Sequence, residues 1–173
     1  MQDRSGYNLK CVAGVSNFNL DDLAELIEFC AIPPAVIQGH SDPFQQNIAI
    51  RRFALSLGIQ FTSYSSLGTQ HLHSTGGRNP VLENRAINTI SKDLGASAAQ
   101  VCSAWEAWTD LKHRYISHVK VQVVLKYTLS TGQVIIPRSN NRAHMNESLH
   151  VHSLQLQGED VKLLHSLDGR LHM

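Results

Sequence analysis

The sequence has little of what marks membrane-bound or nucleic-acid-binding proteins. It has no hydrophobic run near the roughly 18 residues that a membrane helix needs, and no apolar stretch of signal-peptide length follows its N-terminus. Lys and Arg number 15 against 14 Asp and Glu, which leaves a net charge of +1 and no basic run. The absence of long apolar runs and of a basic run predicts that neither a membrane nor a nucleic acid is a partner. We therefore expect a cytoplasmic protein.

Cysteine is also scarce, and its spacing excludes the usual cysteine-based architectures. Cys11, Cys30 and Cys102 are odd in number, and no pair of them has CxxC spacing. This pattern argues against a disulfide framework or a cysteine-ligated zinc site and favours buried, reduced thiols. With 42% hydrophobic and 17% charged residues, the 173-residue chain is predicted to fold as one globular domain.

What the sequence does contain is an alternation of apolar runs with helix-like segments. The runs at 11–15, 35–38, 59–64 and 134–137 predict strands. Asn19 is a predicted N-cap, and Gly58 closes the second helix. A third helix is expected from Asn79-Pro80 to Gly95. Strands separated by helices predict a parallel α/β sheet, in either an open doubly wound fold or a closed (β/α)8 barrel.

The segments at the predicted strand ends favour the second of these folds, the closed barrel. They read GVSNFN at 14–19, VIQ at 36–38, SYSSLGTQ at 63–70 and IIPRSNN at 135–141. In that order they resemble the aldo-keto reductases, NADP(H)-dependent oxidoreductases with a (β/α)8 TIM-barrel fold, and the flanking NPVLENRAI and LQLQGEDVKLLHSL match too. The resemblance implies that residues 1–173 are the C-terminal part of such a domain, about its last four β/α units, and that the cofactor is NADP(H).

The first three segments bear short polar or aromatic side chains at strand ends. The resemblance implies cofactor-binding roles for Ser16, Asn17 and Gln38 at the nicotinamide carboxamide, Tyr64 against the nicotinamide ring, and Ser65 and Leu67 at the pyrophosphate. On the residues alone, Ser16 and Asn17 are also compatible with capping a turn, and Tyr64 with core packing.

The resemblance implies that the fourth segment binds the adenosine 2'-phosphate of NADP(H). Arg138 and Ser139 leave the last strand just before a helix, where a cation, a hydroxyl and helix N-terminal amides attract an anion. The alternative is a solvated charge at a helix start. Further along, the family pattern implies that His144, Glu147 and Ser148 contact the adenosine end, although neutral His144 and short Ser148 replace an arginine and an asparagine.

The catalytic set of the family has no counterpart in this sequence. Aldo-keto reductases use an Asp, a Tyr, a Lys and a His from their first four units, so we assign no catalytic residue and expect an incomplete gene model or a decayed copy. The resemblance implies reduction of small aldehydes or ketones to alcohols by hydride transfer, with this chain supplying the coenzyme-binding half. The alternatives are a non-catalytic half barrel that binds a nucleotide or a partner, and an inactive gene fragment.

One internal block, residues 101–122, departs from the family wording. Joining Gln100 directly to Val123 restores a helix that begins with a capping box at Ser97 and ends at Gly132. A valine codon begins with GT and a glutamine codon can end in AG, so we interpret the block as a retained intron. The alternative is a helical insertion with an apolar stripe of Trp105, Trp108, Leu111 and Tyr115.

Several histidines invite a metal interpretation. His40 and Asp42 stand where family members often have Glu and His, which we interpret as the mark of a subfamily. Two closely spaced pairs follow, at His71/His73 and His150/His152. Because no cysteine or carboxylate set with recognisable spacing accompanies the pairs, we interpret them as surface histidines and predict no metal.

Overall fold

The computed structural model of the chain describes residues 12–101 and 109–171, with no account of the side chains at 95–118, 143 and 147. Strands and helices alternate along the described chain, as predicted. The elements are β1 (Gly14–Ser16), α1 (Leu20–Phe29), β2 (Val36–His40), α2 (Ile48–Ser56), β3 (Gln60–Tyr64), a 3-10 turn (Thr69–Leu72), α3 (Pro80–Glu83), α4 (Arg85–Val101), α5 (Thr109–Ser130), β4 (Val134–Ile135), α6 (Arg142–Leu149), a second 3-10 turn (His150–Ser153) and α7 (Gly158–His165).

The strands form one parallel sheet in the order β1-β2-β3-β4. Each strand pairs with the next one along the chain, with helices in the connections, so every strand presents its carboxyl end at the same edge. This arrangement confirms the predicted parallel α/β sheet. Ligands of such folds bind at that edge, and it is where the four segments of the sequence meet.

The two faces of the sheet have different surroundings. Successive side chains of a strand alternate between faces, and Ile37 and Phe61 point toward α1 and α2. There they form a core cluster whose buried members are Leu23, Ile37, Ile50, Ala54, Ile59 and Phe61. The opposite side is here called the open face, and its members are Ser16, Gln38, His40, Thr62, Tyr64 and Val134.

A second core joins the later helices. Its buried members are Phe44, Val81, Ile87, Ile90, Val119, Val123, Val124, Tyr127, Leu164 and Leu167. Gln46 ties this core to the turn after β2, because its Nε2 donates to the carbonyls of Pro43, Leu164 and His165 at 2.9, 3.1 and 3.0 Å. The end of α7 is thereby hydrogen-bonded to the loop that follows β2.

Local sequence explains the helix boundaries that were predicted correctly. Asn19 accepts a hydrogen bond from the Asp22 amide at 2.9 Å, and Asp22 returns one to the Asn19 amide, which completes a capping box. After α2, Gly58 adopts φ +71°, the left-handed conformation that ends helices. Asn79 caps α3 through the amides of Val81 and Leu82, both at 3.1 Å.

The third predicted helix was wrong in its bounds. It stops after Glu83 because Asn84 takes an extended conformation and caps a new helix, with its Oδ1 accepting from the Ala86 amide at 2.9 Å. The new helix, α4, passes Gly95 and continues to Val101, so Gly95 ends no helix. Ser97 lies inside α4. The helix predicted to begin at Ser97 requires Gln100 to be joined directly to Val123, so it stays a prediction. A single glycine weakens a helix but does not terminate it when neighbouring residues favour the helix.

The interpretation of residues 101–122 stays a prediction. Residues 102–108 lie outside the described part of the chain, and with them Cys102, Trp105 and Trp108. Helix α5 starts at Thr109 and runs without a break through Gln122 into Val123, and Val119 of the block is buried in the second core. The side chains of the other two stripe residues are not described.

Of the three cysteines, only Cys30 lies in the described part of the chain. It is a free thiol, half-buried rather than fully buried, and its Sγ lies 3.8 Å from the Ile27 carbonyl oxygen. Cys11 lies outside the described residues, as does Cys102. No helix within the described ranges is both long enough and apolar enough to cross a membrane.

Candidate functional site

A polar row crosses the open face near the strand ends. Ser16 pairs with Gln38, Gln38 pairs with Thr62, and Thr62 pairs with Val134. Since paired residues of neighbouring parallel strands point to the same face, the hydroxyl of Ser16 and the amide of Gln38 lie side by side. Ser16 is exposed and Gln38 is half-buried, so both are accessible from the open face.

Asn17 connects this polar row to the end of β3. It adopts φ +59°, a left-handed conformation at the end of β1 that Asn tolerates better than most residues. Its amide N–H donates to the Gln38 carbonyl at 2.8 Å, and its Oδ1 accepts a hydrogen bond from the Tyr64 hydroxyl at 2.9 Å. The side-chain Nδ2 has no partner among the described residues and is available as a donor.

Tyr64 ends β3 with its ring accessible on the open face. Its hydroxyl is fixed by Asn17, and its ring lies 5.9 Å from the His40 ring at an angle of 39°. Ser65 follows with φ +51°, and its carbonyl accepts from the Gly68 amide at 2.8 Å to close a turn. Left-handed backbone at the ends of two strands, at Asn17 after β1 and at Ser65 after β3, is typical of functional sites.

Leu67 faces the protein and not the open edge. Its side chain packs against the second core, and its carbonyl accepts a hydrogen bond from Asn79 Nδ2 at 2.8 Å. Gly68 next to it has φ +79°, and a Cβ at this position would lie 2.7 Å from Val81 Cβ. Any contact of Leu67 with a ligand is therefore expected from its backbone. Ser65 is half-buried like Leu67, and its Oγ accepts a hydrogen bond from Gln70 Nε2 at 3.5 Å.

Arg138 and Ser139 lie between β4 and α6. Arg138 is exposed, and its guanidinium has no hydrogen-bond or ion-pair partner among the described residues. The Ser139 Oγ accepts from the Asn141 amide at 3.1 Å, so this hydroxyl already supports the start of α6. Arg138 thus lies shortly before the N-terminus of α6, and no side chain that the structure describes pairs with its charge.

The residues predicted for the adenosine end lie on α6. His144 is exposed, and the Ser148 hydroxyl donates to the His144 carbonyl at 2.9 Å, within its own helix. The side chain of Glu147 lies outside the described part of the structure. Of this predicted trio, the Ser148 hydroxyl can still accept a hydrogen bond, but its own hydrogen is engaged.

His71 corrects the interpretation of the histidine pairs. It is only 7% exposed, and its Nε2 lies 2.7 Å from Asp42 Oδ2, so it is not a surface histidine. His40 Nε2 reaches the same carboxylate oxygen at 2.8 Å. Residue spacing could not predict this cluster, because His71 comes 29 residues after Asp42 and only the fold brings them together. His73 is exposed, as are His150 and His152.

Comparison with known proteins identifies relatives of this chain. The family model described as Aldo/keto reductase family matches residues 10–168. Deoxymugineic acid synthase 1-B of Triticum aestivum is 28% identical over 170 residues, which make up 98% of this chain and 46% of the relative. Aldose reductase B of Dictyostelium discoideum is 28% identical over 165 residues, 95% of this chain and 44% of the relative. The chain spans about half the length of the curated relatives it matches.

A solved structure extends the likeness to three dimensions. The structure of an aldo-keto reductase of the silkworm, Bombyx mori, complexed with NADPH matches with a TM-score of 0.68 and 26% sequence identity, over 90% of this chain and 42% of that one. The four-stranded parallel sheet is therefore part of a TIM barrel, as the strand-end segments predicted. From its family match across residues 10–168 and this shared fold, the chain belongs to the aldo/keto reductase family.

Proposed function

We propose that this chain is the coenzyme-binding half of an NADP(H)-dependent reductase that converts small aldehydes or ketones to alcohols. The proposal rests on one observation above the others, which is the meeting of Ser16, Asn17, Gln38 and Tyr64 at adjacent strand ends through paired register and a 2.9 Å hydrogen bond. The family is NADP-dependent, and the silkworm relative has been crystallised with NADPH.

The nicotinamide end fits the polar groups of the open face. A carboxamide needs both a donor and an acceptor, and the unpartnered Nδ2 of Asn17, the Gln38 amide and the Ser16 hydroxyl together offer both. The Tyr64 ring, held at its hydroxyl, offers a flat apolar surface for stacking. Together these residues would hold the nicotinamide with one ring face toward the substrate.

The adenosine end fits Arg138. The Arg138 guanidinium is exposed, is unpartnered within the described part of the chain, and is followed by a helix N-terminus. This setting favours a phosphate, which arginine binds through two parallel hydrogen bonds. Ser139 and backbone amides at the start of α6 would add donors. We propose His144, Glu147 and Ser148 as weaker contacts, and Ser65 with the backbone of Leu67 as contacts to the pyrophosphate.

When bound, NADPH supplies the hydride that the reduction requires. The residues of this chain would bind and orient it, and none of them is assigned as the proton donor. Tyr64 in particular is not proposed as an acid, because its hydroxyl donates its hydrogen to Asn17. The Asp, Tyr, Lys and His of the family reaction are assigned to no residue of this chain.

Coenzyme binding tests the proposal directly. We would titrate the 173-residue chain with NADPH and with NADH and follow the nicotinamide fluorescence. Arg138→Gln should weaken NADPH binding by roughly 10- to 100-fold, the range expected for a lost charge-assisted hydrogen bond of about 1.5–3 kcal/mol, and should change NADH binding much less. Arg170→Gln, another exposed arginine, is the control and should alter neither. Equal losses for both coenzymes would contradict 2'-phosphate recognition by Arg138.

A second candidate function is nucleotide binding without catalysis. It is supported by the observation that the proposed contacts all lie within this chain, whereas no catalytic residue is assigned here. Binding of NADPH by the 173-residue chain without reduction of aldehydes is expected under both candidates. Translation of the genomic sequence before Met1 separates the two candidates, since an upstream frame with Asp, Tyr, Lys and His at barrel strand ends is expected only for the reductase.

A further inference from the structure

Two imidazoles and a carboxylate meet beneath the open face. His40 Nε2 and His71 Nε2 lie 2.8 and 2.7 Å from the same oxygen, Asp42 Oδ2. The ligand atoms of the three residues all lie within 4.8 Å of one another. The two rings meet edge to face with centroids 5.4 Å apart, so both nitrogens point at one position from different directions.

The cluster is built into the fold and shielded from water. The Asp42 side chain is 0% exposed, and those of His40 and His71 are 11% and 9% exposed. The other oxygen of Asp42, Oδ1, accepts hydrogen bonds from the backbone amides of Phe44 at 2.8 Å and Gln45 at 3.2 Å. The position of the Asp42 side chain is thus fixed, with its second oxygen, Oδ2, facing the imidazoles.

A cation fits the charge and chemistry of this arrangement. A carboxyl group buried away from water needs hydrogen-bond donors or a cation beside it, because an uncompensated charge is costly in a dry interior. In the metal-free chain each Nε2–H donates to Asp42 Oδ2. A metal ion would replace these two hydrogens, and each ring would then carry its proton on Nδ1, which has no hydrogen-bond partner among the described residues. Two imidazole nitrogens and one carboxylate oxygen form a ligand set that suits Zn²⁺.

We propose that His40, Asp42 and His71 bind one divalent transition metal ion, with Zn²⁺ as the best match. Ligand atoms of a tetrahedral zinc site lie about 3.3 Å apart, so each imidazole needs to move back by only roughly 0.6 Å from Asp42. Three protein ligands leave a fourth position, which a water fills from the partly accessible side of His40. None of the three proposed metal ligands is among the residues proposed to contact NADP(H).

The ion joins segments that are distant in sequence. His40 ends β2, Asp42 begins the following turn, and His71 belongs to the 3-10 turn Thr69–Leu72. Binding would clamp that turn onto the carboxyl edge of the sheet next to Tyr64, whose ring lies 5.9 Å from the His40 ring. The expected role is structural, because metal binding that requires the folded arrangement stabilises the fold.

Calorimetric titration of the chelator-treated 173-residue chain with Zn²⁺ tests the site. We expect one ion per chain for the wild type and a rise in its melting temperature with Zn²⁺. His71→Phe keeps an aromatic ring against Phe44, 6.3 Å away, but removes the nitrogen ligand, so it should abolish the rise and weaken binding by more than about 100-fold. His73→Phe makes the same change at an exposed neighbour and should behave as the wild type.

Two results would overturn the proposal. One is a wild-type chain that binds Zn²⁺ no better than His71→Phe, which would leave a hydrogen-bonded cluster without a metal. The other is an X-ray absorption spectrum of the zinc-loaded wild type without two imidazole ligands. The spectrum also decides the matter if His71→Phe loses its circular dichroism, since it needs no variant. NADPH affinity of the chelated chain is expected to persist, which separates this test from that of coenzyme binding.

Discussion

Tyr64 donates a 2.9 Å hydrogen bond to Asn17 over the end of the strand that separates them. Tyr64 ends β3 and Asn17 follows β1, so the bond passes above β2 and fixes two strand ends to one another. It also sets the tilt of the aromatic ring and turns the Asn17 Nδ2 away from Tyr64. Coenzyme stacking and carboxamide recognition are therefore expected to be coupled through one hydrogen bond.

Substitutions of Tyr64 should separate its two contributions. Tyr64→Phe removes the hydroxyl but keeps the ring, and we expect NADPH affinity to fall by no more than about tenfold, the value of one hydrogen bond near 1 kcal/mol. Tyr64→Ala removes the stacking surface as well and should weaken binding further, by about 10- to 100-fold in total. Fluorescence titration measures both. Equal losses for the two variants would mean that the ring does not contact the nicotinamide.

Gly68 is expected to be intolerant of any side chain. Alanine there would face a Cβ contact of 2.7 Å with Val81 at φ +79°, so both strain and overlap destabilise Gly68→Ala, by about 2–4 kcal/mol together. Gly76→Ala is a matched control, because Gly76 also has a positive φ of +65° but open space around it. Chemical denaturation should show the smaller loss for Gly76→Ala. Equal losses would contradict the packing of Gly68 against α3.

Alkaline pH should weaken the second core through Tyr127. Burial raises the pKa of Tyr127 to about 12 from 10.0, and the nearby Asp168 carboxylate adds to the effect while Arg51 opposes it. Below pH 10 the phenol is protonated in both states and its contribution to stability is complete. Between pH 10 and about 12 the unfolded chain ionises first, so the free energy of unfolding falls as pH rises.

Tyr127→Phe is the variant that isolates this effect. It removes the ionising group together with a 3.2 Å hydrogen bond to His165, so the variant should be less stable than the wild type by a constant amount below pH 10. The difference in free energy of unfolding should then shrink as pH rises toward 12, as followed by denaturation at several pH values. A difference that stays constant would show that Tyr127 ionises equally in both states.

Residues 101–122 give a prediction about the transcript. We expect most messenger RNA from this gene to join the codons of Gln100 and Val123 directly. In the structure residues 109–122 of the block form the first part of α5, and Val119 is packed in the second core. Removal of the block would therefore replace the part of α5 that precedes Val123. Sequencing of transcripts measures the splice. Reads that run through the block in most messages would favour a genuine insertion.

Local signals determined much of the fold in advance. The apolar runs of β2 and β3, the Asn19 cap and the left-handed Gly58 all depend on residues within a few positions, and their positions were predicted closely. Asn84 shows the limit of such signals. It was interpreted as part of one helix, but an Asn can interrupt a helix and cap the next, and packing decides which of these occurs.

The buried cluster could not have been predicted from spacing. His71 sits in a polar segment that is typical of a surface loop, and its burial depends on the 3-10 turn folding back over Asp42. The one available signal was the replacement of the usual family residues at His40 and Asp42, which changes the type of ligand offered there. The positions of Ser16, Asn17, Gln38 and Tyr64 at one edge followed from the parallel order of strands, whereas their hydrogen bonds required the structure.

The register of the sheet gives the numbering of this chain an unusual use. Because Ser16, Gln38, Thr62 and Val134 pair in sequence, the even-numbered strand positions all point to the open face, and the odd-numbered ones point to the other. A scan of single substitutions through the strands should therefore alternate in phenotype from one residue to the next. Even-numbered changes would mainly alter ligand affinity, and odd-numbered changes such as those at Ile37 and Phe61 would mainly lower the yield of folded protein.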